Sequence, residues 1–331
     1  MLPTWFVMPS LPTKRGPAPT PGASAARKHD SGFVLIVVIT VIGLLALAAA
    51  GFAQVTRSQV KAAASSVGGS TAQALADAGV QLAILDLLQS RQDPSYQKRF
   101  ALGEKPLRCD AGDGRRLAVS ITDEAGRVDI NTADDRLLQA LLAGVGAPAS
   151  QALADAIIDY RDDDNTRRPQ GAEHEQYSAA GRPGPKNALF SVVEEIEQVL
   201  GVDADLAARL RPHITVYTGQ PGIDTTSASR ELLAILARGL GQDSTPAQSD
   251  AGEQTREEKS PLPAVPFQGA QGRRFFALHA EAFTPAGAFV RDAVIELGQN
   301  RARPYTYLRW HRGVLREAEA DPAEATLGPC S

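Results

Sequence analysis

The chain has 331 residues, 43% of them apolar and 5% aromatic, and carries a formal net charge of −4. That length accommodates two modest soluble units, and the mild acidity removes the general attraction that a nucleic-acid polyanion requires. Two cysteines, Cys109 and Cys330, are too few for a disulfide scaffold or a zinc site. They leave open either free thiols or a single bridge, which would close a very long loop and need an oxidising compartment.

From Phe33 to Ala53 no side chain is charged. At about 1.5 Å per residue, a helix of this length crosses a hydrocarbon core of about 30 Å. A cleaved secretory signal fits less well, because its apolar region runs about 7–15 residues and ends at a small-residue cleavage site. Lys14, Arg15, Arg27 and Lys28 precede the span with only Asp30 opposing them. The leader is therefore expected in the cytoplasm and the long remainder in the periplasm, behind a single inner-membrane pass. The helical pattern continues through Gln54, Arg57 and Lys61, and again from Thr71 to Leu88. There Leu75, Ala78, Leu82, Leu85 and Leu88 recur at spacings of three and four, which predicts a packing face. Ser65 to Ser70, with Gly68 and Gly69, is the expected soft point.

Arg116 to Thr122 alternates as a strand, and Asp123 to Gly126 reads as the turn that ends it. Val128-Asp129-Ile130-Asn131-Thr132-Ala133 then leads into a helix bearing Leu137, Leu138, Leu141 and Leu142, with Asn131 and Thr132 offered as caps. The phrase returns as Ile223-Asp224-Thr225-Thr226-Ser227-Ala228 ahead of Leu232, Leu233 and Leu236, so two related units bracket the middle of the chain. Gln242 to Pro266, rich in Ser, Pro, Glu and Gln, reads as a linker. Beyond it Phe275–Phe283, Ala288–Leu297 and Tyr305–His311 alternate as strands of a meander, with Phe276 and Trp310 expected in the core.

Several sharper chemistries lack support. Leu142 to Gly146, followed by Ala154, Ile158 and Arg161, is similar to a helix-hairpin-helix, whose amides can hold a DNA phosphate. Yet from Ile121 to Tyr217 there are seventeen acidic and nine basic side chains, the wrong balance for phosphate neutralisation. Gly144 to Ala149 fits G-x-G-x-x-A but follows a helical pattern, not a strand. His29, His174, His213, His279 and His311 are scattered, with no H-E-x-x-H and no G-x-S-x-G, so no catalytic residue is expected. The acidic loop is more informative. Asp162, Asp164 and Glu173 occupy positions one, three and twelve of a calcium-loop spacing, but Thr166 stands at position five and Arg167 where Gly is needed. An ordinary EF-hand is excluded, which leaves another calcium geometry or a solvated acidic turn.

Gly32 followed by Phe33 and an apolar run, behind a basic leader, resembles the prepilin peptidase site of type IV pilins and pseudopilins. Cleavage after Gly32 would leave Phe33 as a methylated N-terminus and Val37 where most pilins carry Glu. The ordered series Asp155 to Asp164, Gly171-Ala172-Glu173, Tyr177, Lys186-Asn187, Val193 to Ile196, Val199-Leu200-Gly201 and Ile214 to Tyr217 resembles minor pseudopilin K of type II secretion systems, over about residues 123–240. The absence of the Glu suits that member, a tip subunit with no further subunit above it. The resemblance implies an α+β fold in which a pilin-like long N-terminal helix packs on a small antiparallel sheet, with a large inserted α-helical domain. The expected order is 1–32 leader, 33–90 transmembrane and pilin-like helix, 91–122 first part of the α/β domain, 123–241 helical insertion, 242–266 linker, and 267–331 remainder of the sheet. It further implies a non-enzymatic subunit that initiates or caps the periplasmic pseudopilus driving export across the outer membrane. Its implied partners are the I, J and H type minor pseudopilins, the prepilin peptidase and the inner-membrane secretion platform, with no nucleic acid. Structural calcium is implied on Asp159, Asp162, Asp164 and Glu173, with Asn187 as a further ligand. The competing expectations are a membrane-anchored DNA-binding protein of the competence type and a minor pilin of a type IV pilus.

Overall fold

The structure, a computed structural model, describes residues 31–93, 95–242, 265–269, 273–300, 302–316 and 330. The basic residues of the leader and most of the expected linker, 243–264, lie outside the described residues. The chain divides into two compact units, Met1–Lys61 and Ala62–Ser331, and helix α1 (Ser31–Gln92) contributes to both.

In the first unit, Phe33–Gln59 is long and apolar enough to cross a membrane, and none of it is buried within the protein. The candidate cleavage pair Gly32 and Phe33 lies in the first turn of α1. The hydroxyls of Thr40 and Thr56 donate to the carbonyls of Ile36 and Phe52, at 2.8 and 2.9 Å. Each thus satisfies itself within its own helix, as a polar group in an apolar segment does where water is lacking.

The second unit contains a five-stranded antiparallel sheet: β1 (Gly103–Gly112), β2 (Arg115–Asp123), β5 (Phe275–Thr284), β6 (Gly287–Asn300) and β7 (Arg303–Arg312), in the spatial order β1-β2-β5-β6-β7. Alternation decides which face is buried. Leu117, Val119 and Ile121 of β2, Phe276, Leu278 and Ala280 of β5, and Ala293, Ile295 and Leu297 of β6 form one core with the second half of α1. Strand β1 carries no clear alternation and was missed from sequence. It is pinned by its register on β2 and by a disulfide between Cys109 and Cys330, whose Cα atoms are 4.9 Å apart. Phe276 is buried as expected, whereas Trp310 sits on edge strand β7 and is 38% exposed.

Helix α1 meets the sheet through small residues together with three of the expected leucines, Leu75, Leu82 and Leu88, which are half-buried against that core. Ala72, Ala76, Val80, Ala83 and Leu87 are buried, whereas Leu85 and Ala78 are exposed. Small residues permit the close approach: a Cβ on Gly79 would lie 2.9 Å from Leu117 and 3.1 Å from Val119. The expected soft point is also helical throughout. Gly68 is there for contact rather than flexibility, since a Cβ on it would fall 2.1 Å from the Ala286 Cβ in the β5–β6 turn.

Strands β2 and β5 are immediate neighbours, so the whole helical region leaves and re-enters the sheet at one place. It has its own core, separate from that of the sheet. Its elements are β3 (Val128–Asp129), α2 (Asp135–Gly144), α3 (Ser150–Arg161), α4 (His174–Ala179), α5 (Ala204–Leu210), β4 (Ile214–Thr215) and α6 (Arg230–Gly239), with β3 and β4 paired in parallel. The two related phrases form equivalent structures. The Asp129 carboxylate accepts from Asn131 N–H at 2.8 Å, and the Asp224 carboxylate accepts from Thr226 N–H at 2.9 Å. Helix α2 then follows from the first turn and α6 from the second. The helices are capped by Asp134 and Ser229, not by Asn131 and Thr132. Those two side chains are committed elsewhere: the Asn131 amide to Phe190 and Val216, and the Thr132 hydroxyl to the Gln220 carbonyl. The helices α2 and α6 pack reciprocally. A Cβ on Gly144 would lie 2.0 Å from the Ile235 carbonyl oxygen, and one on Gly239 1.8 Å from that of Ala140.

Both cores are drawn from the second unit alone, so residues 62–331 carry the stability of the fold without the apolar anchor. In that unit Gly239→Ala forces backbone apart and is expected to cost at least about 2 kcal/mol. Gly69→Ala, where an added Cβ meets nothing within 4 Å, should be neutral or stabilising by up to about 1 kcal/mol. Urea denaturation checks both, and an unchanged midpoint for Gly239→Ala would contradict the reciprocal packing.

Candidate metal centre

The acidic loop joins α3 to α4. Helix α3 ends at Arg161, whose guanidinium donates to the Ala133 carbonyl at 2.7 Å and to the Ile130 carbonyl. This contact ties the loop to the turn that precedes α2. Asp162 is the C-cap residue of α3 and Glu173 the N-cap residue of α4, so the helix ends fix both ends of the loop. Side-chain oxygens of Asp162, Asp164 and Glu173 lie within 4.8 Å of one another.

The polar accounting at this cluster is incomplete. Asp162 Oδ1, both carboxylate oxygens of Glu173 and Asn187 Oδ1 are buried and find no hydrogen-bond donor among the described residues. Glu173 itself is 5% exposed. Its backbone N–H is satisfied by Gln176 Oε1 at 3.0 Å, which leaves the carboxylate directed at the other acids. The Asn187 amide oxygen is in the same condition. The residue's backbone is left-handed, with φ of 50°, and its amide nitrogen donates to the Asp164 carbonyl at 2.8 Å and to Asn165 Oδ1 at 3.0 Å. The amide is thereby oriented so that its oxygen remains for something else.

Asp159 has a different role from the other three acids. It is fully buried and accepts from Arg168 N–H at 3.2 and 3.3 Å, and a Cβ on Gly171 would lie 2.0 Å from its Oδ2. It shapes the floor of the loop beside the three clustered carboxylates. Sequence reasoning missed the second clamp: Asp155 receives the Arg168 guanidinium and the Gln170 N–H, each at 3.0 Å. Its signal was the pair of acids one helical turn apart on α3, Asp155 and Asp159.

The cluster perturbs its own titration. Burial, followed by repulsion from Asp159, Asp162 and Asp164, pushes Glu173 up to about 7. Burial first, with repulsion from Asp162 in addition, pushes Asp159 up to about 6. Burial and Asp164 also raise Asp162. A set of hard oxygen donors, partly orphaned and held by rigid helix ends, fits a hard divalent cation that takes oxygen ligands. It does not fit an EF-hand, because Asn187 comes from a separate segment. In the helix-hairpin-helix feature the amides of the hairpin itself are engaged, while α3 begins without a side-chain cap. The N–H groups of Val145, Gly146 and Ala147 already bond to the carbonyls of Leu141, Ala143 and Leu142.

Residues 116–219 match the family model of the type II secretion system protein K. The fold is similar to a chain in the crystal structure of the GspK-GspI-GspJ complex from the type 2 secretion system of enterotoxigenic Escherichia coli. That likeness has a TM-score of 0.51 and 18% identity, and covers 78% of this chain and 99% of that one. No curated protein matches the sequence.

The raised carboxylates set a pH dependence. Because their folded-state values lie above the unfolded ones, the metal-free fold binds more protons than the unfolded chain between about pH 4 and 7. Its stability should therefore fall as pH rises through that window. Denaturation of residues 62–331 with a chelator present, at pH 5 and pH 8, measures this, and greater metal-free stability at pH 8 would contradict the buried-carboxylate account.

Proposed function

We propose, from the match of residues 116–219 to the type II secretion system protein K family model, that the chain works as a minor pseudopilin. In this reading Phe33–Gln59 anchors it in the inner membrane and the second unit stands in the periplasm, where the helical insertion tops the pseudopilus that drives export. Its role is assembly, not catalysis. The observation that carries the proposal is the family match over the segment holding β2, the acidic loop and α5, supported by the apolar anchor and the pilin-like packing of α1 on an antiparallel sheet. The Cys109–Cys330 bridge supports an oxidising compartment.

Partners follow from the same reading: the I, J and H type pseudopilins beside it, the inner-membrane secretion platform beneath, and the prepilin peptidase that would cleave after Gly32 and leave a methylated Phe33. Calcium is the proposed cation, held by Asp162, Asp164, Glu173 and Asn187 with Asp159 supporting the loop. Bound there, it would neutralise the clustered charge and lock the α3–α4 loop.

Two measurements test this. The full chain should co-purify with I and J type pseudopilins from the membrane, and its deletion should abolish export. Normal export without it, or failure to associate with those subunits, would overturn the assignment. For the cation, a hundredfold excess of calcium over its dissociation constant should stabilise residues 62–331 by about 2–3 kcal/mol. Glu173→Gln should stabilise the metal-free fold, because it removes a buried uncompensated charge, yet diminish the calcium response. A variant that loses metal-free stability and responds to calcium like wild type would refute the ligand assignment.

A further inference from the structure

At the end of the sheet remote from the β5–β6 turn lies a cavity of about 500 Å³, within the size range of small-ligand sites. Its ionisable lining is of one sign: Arg91 at the end of α1, Lys98 in the following loop, and Arg273 and Arg274 leading into β5. In a chain of net charge −4, four convergent cations from three segments repel one another unless anions compensate them. Arg274 has Glu296 as an ion-pair partner, and Arg91 donates to the Gly298 carbonyl at 3.1 Å. Arg273 acts at longer range on Asp123 and Asp224. Among the described residues, no carboxylate lies at ion-pair distance from Lys98 or Arg273.

The floor is of the opposite character. Leu87, Phe276 and Leu297 line it, and all three belong to the core between α1 and the sheet. The cavity therefore opens onto the end of that core beneath a cationic rim. Such a site recognises an anionic head joined directly to a hydrocarbon body: the rim takes the charge, and the floor removes the apolar part from water. A planar guanidinium matches the geometry of a carboxylate.

We propose that this cavity binds a carboxylate bearing a compact apolar body, presented either by a free alkanoate or by the C-terminal residue of a polypeptide. The site is separate from the acidic loop and does not depend on the secretion reading. Calorimetric titration of residues 62–331 with octanoate, and with an acetylated peptide ending in a leucine carboxylate, tests it, with octanamide and the amidated peptide as neutral controls. At least one acid should bind saturably at millimolar concentration or below, and its neutral counterpart at least about tenfold more weakly. Octanoate alone would identify a free amphiphile as the source, and the peptide alone a polypeptide terminus. The double substitution Lys98→Glu and Arg273→Glu should weaken binding at least about tenfold in the folded variant. Should that variant not fold, high salt must weaken wild-type binding instead. Failure of both acids to bind, equal binding of the neutral controls, or undiminished binding after charge reversal in a folded variant would overturn the proposal.

Discussion

A buried carboxylate without a donor is the costliest feature of this protein, and much of the helical region is arranged around it. Leaving both oxygens of Glu173 without a donor while Asp162 and Asp164 stand within 4.8 Å stores unfavourable energy that ordinary packing does not relieve. The surrounding groups that could have donated are employed otherwise. Arg161 reaches across to carbonyls ahead of α2, Arg168 is taken by Asp155, and the Asn187 amide nitrogen holds the loop while its oxygen is buried without a donor among the described residues. The orphaned oxygens and the left-handed backbone of Asn187 distinguish this loop from a turn whose carboxylates are all exposed.

That arrangement requires a rigid frame, and the frame is economical. Because β2 and β5 are neighbours in the sheet, the helical region must begin and end at one point. The two turn-and-helix units serve as its two posts. Each begins with an Asp whose side chain folds back on the N–H two residues later, and each ends with a glycine that lets its helix touch the backbone of the other. The Asp224 N–H also donates to the Ala125 carbonyl at 2.7 Å, so the second post is tied to the turn just before the first. With both ends closed in this way, α3 and its acidic loop are presented from a fixed base.

What was legible in the sequence follows from which residues carry periodic signals. The membrane-length run, β2, β5, β6 and β7, the two related phrases and the triad Asp162, Asp164 and Glu173 were readable because their patterns are local. The packing face of α1 was read in part: Leu75, Leu82 and Leu88 do pack on the core, but the small residues that lie deepest carry no signal of their own. The close approach at Gly79 and Ala83 selects the face, and Leu85 is left in solvent. The caps of α2 were misplaced because Asn131 and Thr132 meet partners far along the chain, at Phe190 and Gln220. Strand β1 was unreadable for a similar reason: its place depends on β2 and on Cys330, not on its own alternation. The resemblance covered the middle of the chain well because the loop chemistry there constrains residue identity, whereas sheet strands require only alternation.

The attachment of α1 to the sheet combines close apolar contact with polar clamps. Helix α1 is the sole element shared by the two units, so the contacts of its second half with the sheet fix where it leaves the second unit. Small residues give intimate contact but little buried area per residue, and polar clamps supplement them. Near one end Arg291 donates to Asp77 at 2.6 Å, with its guanidinium 4.8 Å from the Trp310 ring and 5.0 Å from that of Phe289. Near the other, the buried Asp86 accepts from Tyr96 O–H and from the N–H groups of Arg99 and Phe100. Arg99 in turn donates to the Cys330 carbonyl at 3.2 Å, and Cys330 is bonded covalently to β1. An edge strand has only one neighbour and is the natural place for a sheet to unzip. Fastening Cys330 to that strand, and both to the loop after α1, holds the exposed edge of the sheet in place.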